Sequence, residues 1–260
     1  MDTVEQTTNM MHEEHVIETH HLSKSFNGFM AVKDLNLKVN KGELYAFLGP
    51  NGSGKSTTIK MLIGLLEPSS GGVSMFGQSL VDHAIDIKCR IAYIPDTPNT
   101  LGKLTGDEYL DFYASIFKMD KAVYEAKKHE LLSLFELEGK TNQLIEGYSH
   151  GMRQKIVLVA GLMHEPDIIF LDEPTVGLDP LSTRNLKAYL KHQTTLGKTV
   201  FLTTHILEIA EQLADRIGIV HNGVLKAEGT LDNLRALSHL ENATLEDVFL
   251  KLTERGEAHD

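Results

Sequence analysis

The sequence holds no tryptophan and a single cysteine, Cys89, among 260 residues. One thiol cannot close a disulfide within the chain, and such cysteine poverty suits a reducing compartment. The expected place for Cys89 is inside, as a small hydrophobe. Long apolar runs are also missing. A membrane-spanning helix needs roughly 20 such residues, and the stretch from Ile156 to Met163 falls far short. Cations are outnumbered: 25 Lys and Arg against 36 Asp and Glu give a net charge of −11. That balance argues against nucleic-acid binding, because phosphate neutralisation needs clustered Lys and Arg. The N-terminus, Met1-Asp2-Thr3-Val4-Glu5-Gln6, lacks the basic and apolar regions of a signal peptide. A cytoplasmic chain is expected. With 42% hydrophobic and 23% charged residues, the composition is that of a folded globular protein with one large domain, or one domain plus a small inserted lobe.

What is present centres on residues 49–57, Gly49-Pro50-Asn51-Gly52-Ser53-Gly54-Lys55-Ser56-Thr57. A short apolar stretch, Glu43 to Leu48, reads as a buried strand before it. An apolar-periodic helix follows and is expected to close at Glu67-Pro68. Strand, G-x-x-x-x-G-K-S loop and helix together make a Walker A phosphate site. The glycines let successive backbone N–H groups face one anion, and the helix N-terminus adds its positive dipole end. Lys55 reaches the β and γ phosphates in such a site, and the Ser56 hydroxyl ligates Mg²⁺. A bound nucleoside triphosphate is therefore expected.

Residues 1–15 are polar and acidic and read as a flexible tail. His12, His15, His20 and His21 have no surrounding ligand framework of known spacing, so solvated surface is expected there rather than a metal site. Leu35, Leu37 and Val39 alternate with polar residues, the period of a half-buried antiparallel strand. Phe26-Asn27-Gly28 falls where a turn would join two such strands. Ser69 to Gly72 reads as a loop before a strand at Val73 to Phe76, and Ile91 to Ile94 as a buried strand ended by Pro95.

From about residue 97 to 163 the pattern is helical. Thr105 and Glu108 form a capping box. Tyr109, Leu110, Phe112, Tyr113, Ile116 and Phe117 lie on one helical face and read as core. A second helix runs from about Lys121 to Leu137 with Asp120 as its N-cap. Strands then resume at Asp167 to Leu171, Thr199 to Thr203 and Ile217 to Val220, separated by helices at Pro180 to Leu196 and Ile206 to Ala214. Asn222-Gly223 is a two-residue hairpin turn. The fold class is α/β: a P-loop NTPase core with a mostly parallel sheet, an N-terminal antiparallel β-subdomain and an inserted α-helical lobe. Residues 16–228 form the domain and 229–260 a helical C-terminal tail.

Asp172-Glu173 ends an apolar strand. An Asp there can hold Mg²⁺ through its water shell, as in other P-loop sites. Glu173, one residue on, points elsewhere and can poise a water against the γ-phosphate.

These elements form an ordered series: Phe26, the Walker A loop, Ile94-Pro95-Asp96, Tyr148-Ser149-His150-Gly151-Met152, Leu171-Asp172-Glu173-Pro174, Gly177-Leu178-Asp179-Pro180 and Thr203-Thr204-His205. The series resembles the ATP-binding subunit of an ABC transporter over residues 16 to 255. The resemblance implies that Phe26 stacks on adenine, and that Ser149, His150 and Gly151 form the signature that contacts ATP held by a second subunit. It implies that His205 orients the attacking water with Glu173, and that Asp179 crosses the dimer interface. The implied metal ligands are Ser56, Asp96 and Asp172, the cofactors ATP and Mg²⁺. The implied partners are a second ATPase subunit, as a homodimer, and an integral membrane permease at the inner face of the cell membrane.

Two positions depart from the family pattern. Asp96 stands where Gln is usual; a carboxylate is also a hard-oxygen ligand. His150 replaces a signature glycine and either adds a donor toward phosphate or points away. Together with Leu245-Glu246-Asp247-Val248-Phe249-Leu250, these variants look similar to exporter-type subunits. The alternatives are a soluble ABC ATPase acting in assembly or regulation without a permease, and a non-catalytic cassette.

Overall fold

Two long strands, β1 (His15–Phe26) and β2 (Phe29–Asn40), pair antiparallel across Asn27-Gly28. Both turn residues have positive φ, 48° and 87°, the backbone that matches the twist of a two-residue hairpin. In β2 the buried residues include Leu35, Leu37 and Val39, while Asn36 and Lys38 face water, as their alternation predicts. Strands β4 (Ser70–Met75) and β5 (Gln78–Ser79) complete a four-stranded sheet in the order β2-β1-β4-β5. The computed structural model describes residues 15–240 and 243–254. Most of the predicted 1–15 tail, including His12, lies outside them.

The second sheet has six strands among the described residues. Its order is β10 (Val224–Gly229), β9 (Arg216–His221), β3 (Leu44–Leu48), β8 (Thr199–Thr204), β7 (Ile168–Asp172) and β6 (Ile91–Ile94). It is parallel from β9 to β6 and antiparallel only at β10, which returns through Asn222-Gly223.

Period-two alternation divides this sheet's side chains between separate cores. Tyr45, Phe47, Phe170 and Phe201 point to a core shared with the antiparallel sheet and helix α1 (Lys55–Leu62). Leu44, Ile169, Leu171, Val200 and Leu202 point the other way, to a core built with the helical lobe. Ala46 and Leu48 meet helices α7 (Leu207–Leu213), α8 (Leu231–Ser238) and α9 (Leu245–Glu254). Phe201 is the hub of its side, within 5.7 Å of the ring centres of Tyr45, Phe47 and Phe170. Covering on both faces explains why β3, β7 and β8 read as continuous apolar runs.

Helix α2 (Ala84–Lys88) precedes β6. Helices α3 (Gly106–Ile116), α4 (Lys121–Leu134) and α5 (His150–Leu162) lie between β6 and β7, and α6 (Pro180–Thr195) between β7 and β8. The capping box on α3 is formed: Glu108 N–H donates to Thr105 Oγ1 at 3.2 Å, and Thr105 N–H to Glu108 Oε2 at 2.8 Å. Asp120 caps α4 as expected. Among the described residues no helix is long and apolar enough to cross a membrane.

Several local expectations differ. Cys89 is exposed, because it follows the short helix α2 and Ile87 takes the buried place. Phe112 and Ile116 face solvent; α3 buries Gly106, Tyr109, Leu110 and Ala114, a narrower face than its apolar spacing suggested. Helix α1 stops at Leu62, where Gly64 turns the chain with φ 66°, and Glu67-Pro68 lies beyond its end. Helix α4 ends at Leu134 and Glu136 adopts φ 58°. Ser70 to Gly72 belongs to β4, because β1 offers backbone partners there: Ser23 pairs Ser70 and His20 pairs Gly72. His15 and His21 bond Asn40 Oδ1 and Asp34 Oδ1, at 2.7 and 2.6 Å.

Candidate functional site

In a parallel sheet, ligands bind beyond the carboxyl ends of the strands. Here the ends of four adjacent strands deliver the residues singled out in the sequence. Strand β3 runs into the Walker loop, β7 ends at Asp172-Glu173, β8 leads to His205, and β6 leads through Pro95 to Asp96. Register fixes their proximity: Leu48 pairs Thr204, Asp172 pairs Thr203, and Ile94 pairs Leu171.

The loop closes tightly. Gly54 has φ 101°, and a Cβ there would lie 2.5 Å from Ala31 O, so the loop can sit against β2 only as glycine. Lys55 is buried, and its Nζ donates to Gly49 O at 2.8 Å and Pro50 O at 3.2 Å. Main-chain carbonyls thus hold the ammonium over the loop, aimed at the space a phosphate would fill.

Asp172 is fully buried. Ser56 Oγ donates to its Oδ1 at 3.3 Å and Thr203 Oγ1 donates to the same oxygen, leaving Oδ2 buried without a partner among the described residues. Burial pushes the Asp172 carboxyl up, the Thr203 and Ser56 hydroxyls oppose this, and the charges of Asp96 and Glu173 add to the rise. An orphaned buried oxygen among anionic neighbours is what a divalent cation relieves. Ser56, Asp172 and Asp96 supply hard oxygen donors of the kind Mg²⁺ takes. Among the described residues there is no group of three His, Cys, Asp or Glu that could hold a metal alone. A site here would rely on a hydroxyl, water and phosphate oxygens as well.

Glu173 has φ 49°, a conformation that costs a non-glycine residue about 1–2 kcal/mol and concentrates at working sites. Its Oε2 meets His205 Nδ1 at 2.9 Å and accepts from His205 N–H at 3.3 Å. Its Oε1 lies 3.4 Å from Lys55 Nζ yet accepts no aligned hydrogen bond. One carboxylate oxygen is therefore tied back, while the other is buried, balanced by the Lys55 charge and unpaired among the described residues.

A cleft of about 380 Å³ joins these groups to the β1–β2 hairpin. Phe26, Asn51, Gly52, Thr57 and Asp96 are among its lining residues, and so is Phe29. Lys24 Nζ lies 5.3 Å from the Phe26 ring centre. The structure brings together Phe26, residues 49–57, Asp96, Asp172, Glu173 and His205.

Ser149, His150 and Gly151 are not among the residues lining the cleft. Ser149 caps α5, accepting from Met152 N–H at 3.2 Å. The His150 ring packs on Gly177: a Cβ at Gly177, where φ is 83°, would fall 2.4 Å from His150 Cδ2. The histidine thus lies against the segment after Glu173. Asp179 caps α6 through Ser182 N–H at 2.8 Å, and Lys155 Nζ meets its Oδ2 at 2.7 Å. The Lys155 ammonium and the Ser182 N–H and hydroxyl hold the Asp179 carboxyl well below the usual carboxylate range. Within the chain, Asp179 is thereby occupied.

Sequence reasoning missed Phe29, Thr203 as the second hydroxyl on Asp172, and Lys155. Only Phe29 left a signal, since it lies directly across the turn from Phe26.

The family model described as ABC transporter matches residues 32–176. The chain belongs to the ABC transporter family. It is 37% identical over 242 residues to the probable multidrug ABC transporter ATP-binding protein YbhF of Escherichia coli, covering 92% of this chain and 42% of that one. The chain thus spans less than half the length of that relative. A solved ATP-binding subunit of an ABC transporter superposes with TM-score 0.88 at 38% identity, over 91% of this chain and 99% of that one. A dimeric ATP-binding cassette in a post-hydrolysis state, bound to ADP and Pi, superposes with TM-score 0.75 at 27% identity, over 83% and 98%. This ABC chain shares their α/β fold.

Proposed function

We propose that this ABC chain is the ATP-hydrolysing subunit of a transporter, working as a homodimer that drives a separate integral membrane permease from the cytoplasmic face. The observation that carries it is Glu173, strained in backbone and held between Lys55 and His205 with one oxygen buried and unpaired among the described residues. A carboxylate placed there can accept a proton from a water attacking the γ-phosphate. His205, bonded to the other oxygen, keeps the carboxylate oriented. Lys55 and the loop N–H groups bind the phosphates, and Phe26 the base.

Ser56, Asp172 and Asp96 would hold Mg²⁺, which neutralises phosphate charge when bound. The chain's own part is to present one hydroxyl and two carboxylates whose repulsion a cation removes.

The signature's position supports the dimer. The N-terminus of α5 offers free N–H groups and a positive dipole end, outside the cleft of its own chain. A second subunit turned head to tail would bring Ser149, His150 and Gly151 to the γ-phosphate, and Asp179 to the interface. Export, rather than import, rests on the exporter-like sequence variants and on the multidrug name of one relative.

Purified chain should hydrolyse ATP with Mg²⁺, and Glu173→Gln should lose about 10²–10⁴ of the rate while accumulating an ATP-bound dimer in size-exclusion chromatography. Turnover within a few-fold of the parent would remove Glu173 from its role. A tagged chain recovered from detergent-solubilised membranes should bring a multi-span protein with it. Recovery without one would favour an ABC ATPase acting without a permease.

A further inference from the structure

Phe29 is two-thirds exposed, at 67%, and its turn-mate Phe26 is 44% exposed. Neither ring stacks on another aromatic among the described residues. Leaving two large apolar rings in water forgoes burial free energy, so their placement asks for a reason. Phe26 and Phe29 are the last directly opposed pair of the hairpin. Opposed residues of an antiparallel pair project from the same face, with Cβ atoms about 4.5–5.5 Å apart. Both line the nucleotide cleft. The hairpin is also tied to the phosphate loop close by. Ala31 O lies against Gly54, and Gly223, which accepts from Lys33 N–H at 2.8 Å, donates its own N–H to Ser53 O at 3.1 Å. At about 3.3 Å per residue, Phe29 stands roughly 7 Å along the strand from Ala31. The aromatic pair is held at a set reach from the phosphates.

We propose that Phe29 is a second base-contacting side chain, and that with Phe26 it forms a platform sized for a fused two-ring base, so that it sets a preference for purine over pyrimidine nucleotides. This rests on the ATP-site reading above. The hairpin end contributes ring carbon and no hydrogen-bonding side chain to the cleft. Selection there works through stacking area rather than through the base edge. Base–aromatic stacking is sequence-tolerant and scales with the π-face offered. A purine covers both rings, and a pyrimidine covers one.

The test is isothermal titration of the full chain with ATP and with CTP, in magnesium-free buffer so that neither is consumed. Phe29→Ala should weaken ATP binding about 5–20-fold, the loss expected of one stacking ring. CTP binding should weaken less than 3-fold on the same reasoning, so the ATP-to-CTP affinity ratio falls. Phe29→Trp should restore the ratio. Because Phe29 is exposed, circular dichroism and the melting temperature of Phe29→Ala should match the parent. Equal weakening of ATP and CTP, or no weakening of either, overturns the proposal. If the parent chain itself binds no ATP, the nucleotide reading fails instead, and the two failures are told apart by that first titration.

Discussion

His164 gives a pH dependence that can be worked out in advance. Its ring stacks on Phe117 at 3.7 Å between centres and 9° between planes, and Nε2 meets Ile91 O at 3.3 Å. Nδ1 is buried without a partner among the described residues. Burial pushes the imidazole down from 6.5 to about 4, with the Lys198 charge acting in the same direction and the Ile91 carbonyl opposing them. The unfolded chain binds this proton near pH 6.5, and the folded chain only near pH 4. Between those values the unfolded state holds more protons, so stability rises with pH across the window and is lost as pH falls through it. At pH 5.0 the penalty comes to about 2 kcal/mol, and at pH 7.5 it is close to zero, taking about 1.4 kcal/mol per pKa unit. The assay is urea unfolding of the parent and of His164→Gln, which keeps an N–H donor for Ile91 but cannot titrate. The variant should be the less stable protein at pH 7.5, since stacking on Phe117 is weakened. The parent's advantage should shrink by about 2 kcal/mol at pH 5.0. Parallel pH profiles for the two proteins would refute the assignment.

Asp172→Asn should stabilise the nucleotide-free chain by about 1 kcal/mol in urea at pH 7, because it removes a desolvated charge from beside Asp96 and Glu173. The same change should abolish Mg²⁺-dependent hydrolysis; a less stable variant would contradict the account of that carboxylate. Gly177→Ala should cost about 1–2 kcal/mol from its left-handed backbone alone, with a further part from the His150 ring. In a His150→Gly background that further part should disappear, giving a coupling of at least about 0.5 kcal/mol in a double-mutant cycle. Strict additivity would mean that the ring moves aside freely.

The sequence made the core of the site legible because the chemistry sits at strand ends. An apolar run such as Ile168 to Leu171 announces a buried strand, and the polar residues that follow it, Asp172 and Glu173, must then lie at the strand's carboxyl end. The tight turns were equally readable, since Asn27-Gly28 and Asn222-Gly223 adopt the positive φ values their residue types permit. Faces of helices were not. The spacing of Phe112 and Ile116 matches that of buried Tyr109, and only the position of α5, packed on one side of α3, decides which of them is covered. Cys89 shows the same limit: a small apolar residue at a helix end goes wherever the register of Ile87 leaves it. The contact between His150 and Gly177 joins residues far apart in sequence, and neither composition nor periodicity carries information about such a meeting. Lys155 was silent for the same reason, since its partner Asp179 lies on another helix.

The strand order has a consequence for biosynthesis. Strand β3 leaves the ribosome early, but its neighbours in the sheet, β8 and β9, pair with it at Val200 and Arg216, some 150 residues later. At roughly 5–20 residues per second, that wait is on the order of 10–30 s. During it Leu44 to Leu48 wait for the strands they pair with, and the phosphate loop waits for Thr204, which accepts from Gly49 N–H, and for Gly223, which donates to Ser53 O. The binding cradle is therefore among the last parts of the nascent chain to form, although its sequence is among the first to be made. A nucleotide that binds only the finished cradle would select completed chains, and the interval before completion is when chaperone contact and aggregation compete for that exposed strand.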